Sequence, residues 1–267
     1  MKNSSLLLVV VSLLMATVIQ AQDWTKACLE KSPRHLEWIK IPQGARTVQS
    51  FIAFPEVKEK ATAVIVIHEI FGLSDWVRGV TDQLAEAGYI AIAPDLLSGA
   101  APGGGGTAEL GSSDAVRKAI SSLPADQITA DLKAVIDYVA KLPACNGKVV
   151  VAGFCWGGTQ SFRFATNEKD LKAALVFYGT GPTNEAEIAR IACPVYRFYG
   201  GNDARVTSTV EKSAALMKAA GKPYEPTIYD GAGHGFMRAG EAPDANEANK
   251  KARDAAWKRW LDVLKKI

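Results

Sequence analysis

Short apolar runs, separated by longer stretches of mixed polar and apolar residues, set the organisation of this chain. The first patterned segments, 36–42 and 48–54, alternate polar and apolar residues on either side of a Gln43-Gly44 turn. Alternation with period two predicts strands covered on one face, and the turn predicts an antiparallel hairpin at a sheet edge. The next runs are apolar throughout. Residues 62–68 and 89–95 predict buried parallel strands, and 75–87 between them predicts a helix, capped by Ser74 and ended by Gly88. The alternation continues with strands at 147–152, 173–179, 194–200 and 224–229. Helices are predicted at 114–123, 125–141, 159–165, 207–220 and 245–267, the second with Leu132, Val135, Ile136 and Val139 on one face. Residues 98–113 break the regularity. They carry the run Gly103-Gly104-Gly105-Gly106, which lacks the Gly-Lys-Ser/Thr ending of a phosphate cradle, and predict a mobile loop of the length seen in lids. No internal repeat is visible.

Strands alternating with helices predict a mostly parallel sheet with helices on both faces. One junction stands out. Gly153-Phe154-Cys155-Trp156-Gly157-Gly158 joins a buried strand directly to a helix. This is the pattern of a nucleophile elbow, whose tight turn strains the central residue and leaves no room for side chains beside it. The central residue is Cys155, where Ser is more usual. Read without chemistry, it is a small buried residue at a crowded strand end. The elbow and the antiparallel start together point to the α/β-hydrolase fold.

A thiol nucleophile needs a base, and the base needs an orienting group. Asp203 follows the strand 194–200, and His234 follows the last strand, in Gly231-Ala232-Gly233-His234-Gly235-Phe236. Parallel strands bring their C-terminal ends to one edge, where ligands bind. Cys155, Asp203 and His234 are therefore expected on one rim, in the chain order nucleophile, acid, base. The plainer readings are a helix-capping Asp and a surface His. The imidazole would hold the thiol well below its free pKa. Trp156 N–H, directly after the nucleophile, and a donor from His68-Glu69-Ile70-Phe71-Gly72 would form the oxyanion hole. His68-Glu69 also begins a zinc motif, but Gly72 stands where its second His belongs. Trp156, Phe71, Tyr178 and Phe236 are candidates to line an apolar pocket, or equally to belong to the core. No metal or cofactor is implied.

Composition adds limits. The chain has 267 residues, 48% hydrophobic and 22% charged, with a net charge of +3. This suffices for one large domain and gives no basic arm for nucleic acid. Lys2, an apolar run from Leu6 and small residues near Ala21 predict a signal peptide over 1–21, cleaved after Ala21, with the domain spanning 22–267. There is no twin arginine, and Lys26 spoils a lipobox before Cys28. The mature protein is expected to be exported, to the periplasm or beyond, with no membrane attachment, and to be a monomer. Of the four cysteines, Cys28, Cys145 and Cys193 remain if Cys155 stays free. Cys28–Cys145 is the first pairing to consider for a disulfide.

Taken together, His-Glu-Ile-Phe-Gly at 68–72, Pro-Asp-Leu at 94–96, Gly-Phe-Cys-Trp-Gly-Gly at 153–158, Phe-Tyr-Gly at 177–179, Gly-Asn-Asp at 201–203 and Gly-His-Gly-Phe-Met-Arg at 233–238 resemble the dienelactone hydrolase family. The resemblance covers the chain from the hairpin onward. It implies a hydrolase of small esters or lactones working through the Cys155-Asp203-His234 triad and an acyl-thioester. It also implies that Glu69 contacts the resting thiol and helps take its proton, that Ile70 N–H is the second oxyanion donor, and that Arg238 pairs with Glu69 and a substrate carboxylate. Read from the residues alone, Arg238 is a surface salt-bridge partner. The Arg and Tyr with which founding members hold the dienelactone carboxylate have no match here, Arg117 being near but not aligned. A thioesterase, an acyl transferase on the same triad, or a non-catalytic binding protein on the same fold would use the same sequence features.

Overall fold

The computed structural model describes residues 24–267. The expected signal peptide lies outside the described residues. Eight strands form one sheet in the order β1-β2-β4-β3-β5-β6-β7-β8. β1 (Leu36–Gln43) and β2 (Arg46–Ala53) are the expected hairpin, antiparallel with Gln43 opposite Arg46. Gly44 takes φ 57° in their turn, a conformation that favours glycine. β2 is also antiparallel to β4 (Ile90–Pro94), and from there every pairing is parallel. The central strands are β3 (Ala61–Ile67) and β5 (Cys145–Phe154), followed by β6 (Ala174–Phe177), β7 (Val195–Gly200) and β8 (Tyr224–Tyr229).

The central strands are apolar throughout because both faces are covered. Ile65 and Ile67 of β3, with Val149 and Val151 of β5, join one core, while Val64, Val66, Val150, Ala152 and Phe154 join the other. The first core packs against α4 (Ala125–Val139) through Leu132, Val135 and Val139, and against α8 (Val210–Ala219) through Met217. The second packs against α2 (Asp75–Glu86) through Trp76, Val77 and Val80, and against α10 (Glu247–Leu264) through Ala256 and Trp260. Burying each such aliphatic side chain contributes roughly 1.5–3 kcal/mol before chain entropy is counted. A short helix over 24–30, α1, precedes the hairpin.

Several expectations need correction. Ser74 makes no side-chain cap for α2, whereas Ser112 and Asn246 do cap α3 (Ser113–Ser121) and α10. The helix expected at 207–220 is α8, which starts only at Val210, and a separate single turn, α7 (Ala204–Thr207), precedes it. The stretch 98–113 is not structureless. It folds into two single-turn 3-10 helices, Pro102–Gly104 and Ala108–Leu110, and the Asp95 carboxylate binds it at Thr107. The four cysteines are all free, so the suggested Cys28–Cys145 bridge is absent. Cys28 sits exposed on α1 while Cys145 is buried at the start of β5. Among the described residues, no helix is long and apolar enough to cross a membrane.

One buried charge lies between the hairpin and the layer of helices. Asp131 of α4 is fully buried, 3.1 Å from the Arg46 guanidinium. Burial pushes its carboxyl up to about 6, against the pull of Arg46.

Candidate active site

The elbow follows from the close approach of three backbones. Cys155 sits between β5 and α5 (Trp156–Ala165) at φ 55° and ψ −116°, strained for a residue with a Cβ. A Cβ on Gly153 would lie 2.1 Å from the Gly157 carbonyl oxygen, and one on Gly157 would lie 2.4 Å from the carbonyl oxygens of Ile67 and His68. The glycines thus let α5 start directly against β3 and β5. Cys155 N–H donates to Phe177 O at 3.0 Å, which ties the turn to β6.

The ends of β7 and β8 supply the other two groups. Gly201 N–H donates to Tyr229 O and Asn202 N–H to Ala232 O, so the loop carrying Asp203 is laced to the loop carrying His234. Asn249 of α10 accepts from Gly233 N–H at 2.9 Å, beside the histidine. Asp203 stands at the N-cap position of α7 but makes no side-chain cap. Its carboxylate instead accepts from His234 Nδ1–H at 2.6 Å. That fixes the tautomer and leaves Nε2, 3.1 Å from Cys155 Sγ, to accept the thiol proton. The three residues therefore meet on the rim where the parallel strands end.

The surroundings of the sulfur hold it protonated. Burial first, and the nearby Glu69 charge next, push the Cys155 thiol up to about 11, the reverse of the lowering expected from the imidazole. Hydrogen bonds from the Trp156 and Ile70 N–H groups favour the thiolate but do not prevail. Both N–H groups thus lie close to the sulfur, on the side from which oxyanion donors would act.

Glu69 is buried and accepts from Arg238 Nε at 2.9 Å. The Arg238 side chain is 18% exposed, so this is a largely buried ion pair and not a surface bridge. Burial works against the Arg238 charge, and the Glu69 carboxylate more than offsets it, raising its pKa. The guanidinium also lies 5.3 Å from the centre of the Phe71 ring. The thiol is paired with His234 and the glutamate with Arg238, where the resemblance implied a contact between Glu69 and the resting sulfur.

The proposed pocket residues divide into two groups. Phe71 and Trp156 are partly exposed, whereas Tyr178 and Phe236 are fully buried. Tyr178 meets the His234 ring edge-on at 5.1 Å, and Phe236 packs edge-on against Tyr178 at 5.4 Å. These two brace the imidazole from behind and present no surface for a substrate. Arg117 pairs with Asp114 in the solvent and does not enter the site.

Sequence reasoning passed over two supports. His68 stacks on Trp156, with ring centres 5.4 Å apart, and donates from Nδ1 to Glu69 O. In the sequence the imidazole itself pointed only to zinc, although its loop pointed to the oxyanion hole. Arg197 of β7 is fully buried with no carboxylate partner among the described residues. It donates to the Gly179 carbonyl, to Ser213 Oγ and to Tyr224 OH. Burial lowers its pKa to about 10. It secures the turn after Tyr178, which has φ 40°. An Arg inside an apolar strand was the available signal.

The description "Dienelactone hydrolase family" matches residues 48–267. A candidate carboxymethylenebutenolidase of Salmonella typhimurium is 31% identical over 238 residues, covering 83% of this chain and 84% of that protein. A candidate dienelactone hydrolase from Klebsiella pneumoniae superposes with a TM-score of 0.76 at 26% identity, covering 88% of this chain and 99% of that one. A dienelactone hydrolase-like promiscuous phosphotriesterase from metagenomic libraries shares the α/β-hydrolase fold, with a TM-score of 0.72 at 20% identity over 87% of this chain and 98% of that one. The chain belongs to the dienelactone hydrolase family of carboxylic ester hydrolases.

Proposed function

We propose that the protein hydrolyses small esters or lactones, with Cys155 as nucleophile, His234 as base and Asp203 as its orienting partner. The observation that carries this reading is the relay from sulfur to imidazole to carboxylate, 3.1 Å and 2.6 Å long. His234 Nε2 takes the thiol proton as Sγ bonds to the carbonyl carbon. The oxyanion is held by Trp156 and Ile70 N–H. The tetrahedral species collapses to an acyl-thioester as the C–O bond breaks, and the leaving alkoxide takes the proton from His234. In a lactone that alkoxide stays tethered to the acyl group. Water then gives a proton to His234, which is neutral again, and attacks the thioester. Collapse expels the sulfur, which is reprotonated as the acid departs.

A carboxylate on the substrate suits the Glu69–Arg238 pair. An arriving carboxylate would compete for the guanidinium and free Glu69 to help His234 draw the proton from a thiol that is otherwise hard to ionise. The names of the relatives, which denote enzymes acting on a carboxylated lactone, agree with this choice. Residues 1–21 complete the proposal as a cleaved export signal, which places the mature enzyme in the periplasm or outside the cell.

The test is p-nitrophenyl acetate hydrolysis before and after iodoacetamide. Cys155→Ala is expected to lose at least about 10³-fold in kcat, and alkylated wild type to match it. Turnover unchanged in wild type whose Cys155 is shown by mass spectrometry to be alkylated would overturn the assignment of the nucleophile and leave a different site, and absence of any turnover would leave a binding protein. A lactone panel with and without a free carboxylate measures the role of Arg238. With Arg238→Met, the carboxylated members alone are expected to lose kcat/KM, by about tenfold or more.

A further inference from the structure

The loop that offers Ile70 N–H is a tight turn fastened at both ends. Glu69 O accepts from Gly72 N–H at 3.2 Å, closing the turn around Ile70 and Phe71. At its entrance, His68 Nδ1–H donates to the same carbonyl while the ring stacks on Trp156, the residue that carries the other donor. The exit is held from outside. Leu73 N–H donates to Thr107 Oγ1 at 3.1 Å. Thr107 Oγ1–H donates to Asp95 Oδ1 at 2.8 Å and Thr107 N–H to Asp95 Oδ2 at 2.7 Å, while Asp95 Oδ1 also accepts from Leu97 N–H at 3.0 Å. The threonine also fills the space beside Gly72, where a Cβ would stand 2.3 Å from Thr107 Oγ1. Asp95 is buried at the end of β4, so the chain of bonds runs from the sheet to the turn.

We propose that Thr107, clamped by Asp95, is a positioning residue that sets where Ile70 N–H points. On this view the glycine-rich segment is no lid. Its work is to deliver one hydroxyl to the back of the oxyanion hole. The inference rests on the proposed chemistry at Cys155, in which Ile70 N–H is an oxyanion donor. A donor displaced by about 1 Å can cost up to a hundredfold in rate.

Thr107→Val keeps the shape and removes both the acceptor for Leu73 N–H and the donor to Asp95. Acylation and deacylation both pass through an oxyanion, so kcat on p-nitrophenyl acetate is expected to fall at least about tenfold while KM stays within about twofold. Thr107→Ser, which keeps the hydroxyl, is expected to recover kcat to within about threefold. Iodoacetamide alkylation gives a readout independent of turnover. Because Ile70 N–H favours the thiolate, Thr107→Val should move the pH midpoint of Cys155 alkylation upward. Glu109→Ala removes a separate bond within the same segment, from Gly106 N–H to Glu109 Oε2, and is expected to leave kcat near wild type. Should Thr107→Val fail to fold, Asp95→Asn, which turns one acceptor into a donor, takes its place with the same expectations. Wild-type kcat and alkylation midpoint in Thr107→Val overturn the clamp. An equal loss in Glu109→Ala also overturns it, since general loop order would then be the cause. Failure of the underlying reading shows separately, as full turnover by Cys155→Ala.

Discussion

At the scale of single residues, the site combines a relay built to take a proton with surroundings that keep the proton in place. The two are separable by experiment. The Glu69 charge raises the thiol pKa, so Glu69→Gln is expected to move the pH midpoint of Cys155 alkylation downward from its high wild-type position near 11. A midpoint that does not move would mean that burial alone holds the proton. That Cys155, Asp203 and His234 come together was legible in the sequence, because each follows a strand that ends on the same edge. The direction of the thiol's shift was not. It depends on burial and on a carboxylate 86 positions away in the chain, and neither leaves a local pattern. Whether Tyr178 and Phe236 line the pocket or belong to the core stays open in the sequence for a related reason, and the structure puts them in the core. An aromatic residue beside a motif looks the same in sequence whether it faces the opening or braces the histidine from within.

Among elements, the elbow is the tightest joint. Gly157→Ala would drive a methyl group to 2.4 Å from two carbonyl oxygens of the β3 end, so α5 would have to lift from the sheet. The expected cost is roughly 1–3 kcal/mol of stability, seen in chemical denaturation, with a larger fall in kcat because Trp156 N–H moves with the helix. Denaturation and kcat both unchanged would show that the joint has slack. Strands and their order of appearance were readable from apolar runs and period two, as β3 and β5 show. The break between α7 and α8 was not. Its residues, Ser208 and Thr209, are ordinary helix surface types, and the tight turn there, in which Thr209 N–H and Oγ1–H both donate to Val206 O, leaves no sign in the sequence. The fastening of 98–113 was also invisible, because Thr107 meets Asp95 across a run of glycines that reads as freedom.

Over the whole molecule, pH acts at a point outside the active site. Asp131 has its carboxyl raised to about 6, so the folded chain holds a proton there that the unfolded chain releases near pH 4. Its stabilising contribution is present below the unfolded pKa and is lost as pH rises through about 6. Asp131→Asn removes that titration. Its Tm relative to wild type is expected to climb between about pH 4 and pH 6.5 and then level off. A difference that stays constant with pH would show that Arg46 compensates the buried charge fully. The high thiol pKa has a wider consequence, since peroxide reacts with thiolate and hardly at all with thiol. Standing without a disulfide partner, Cys155 gains chemical longevity from being unreactive between turnovers. Hydrogen peroxide at neutral pH is expected to inactivate the enzyme more slowly than it consumes glutathione. An enzyme working among oxidants would thus keep its sulfur intact by leaving it dormant until an acyl group arrives.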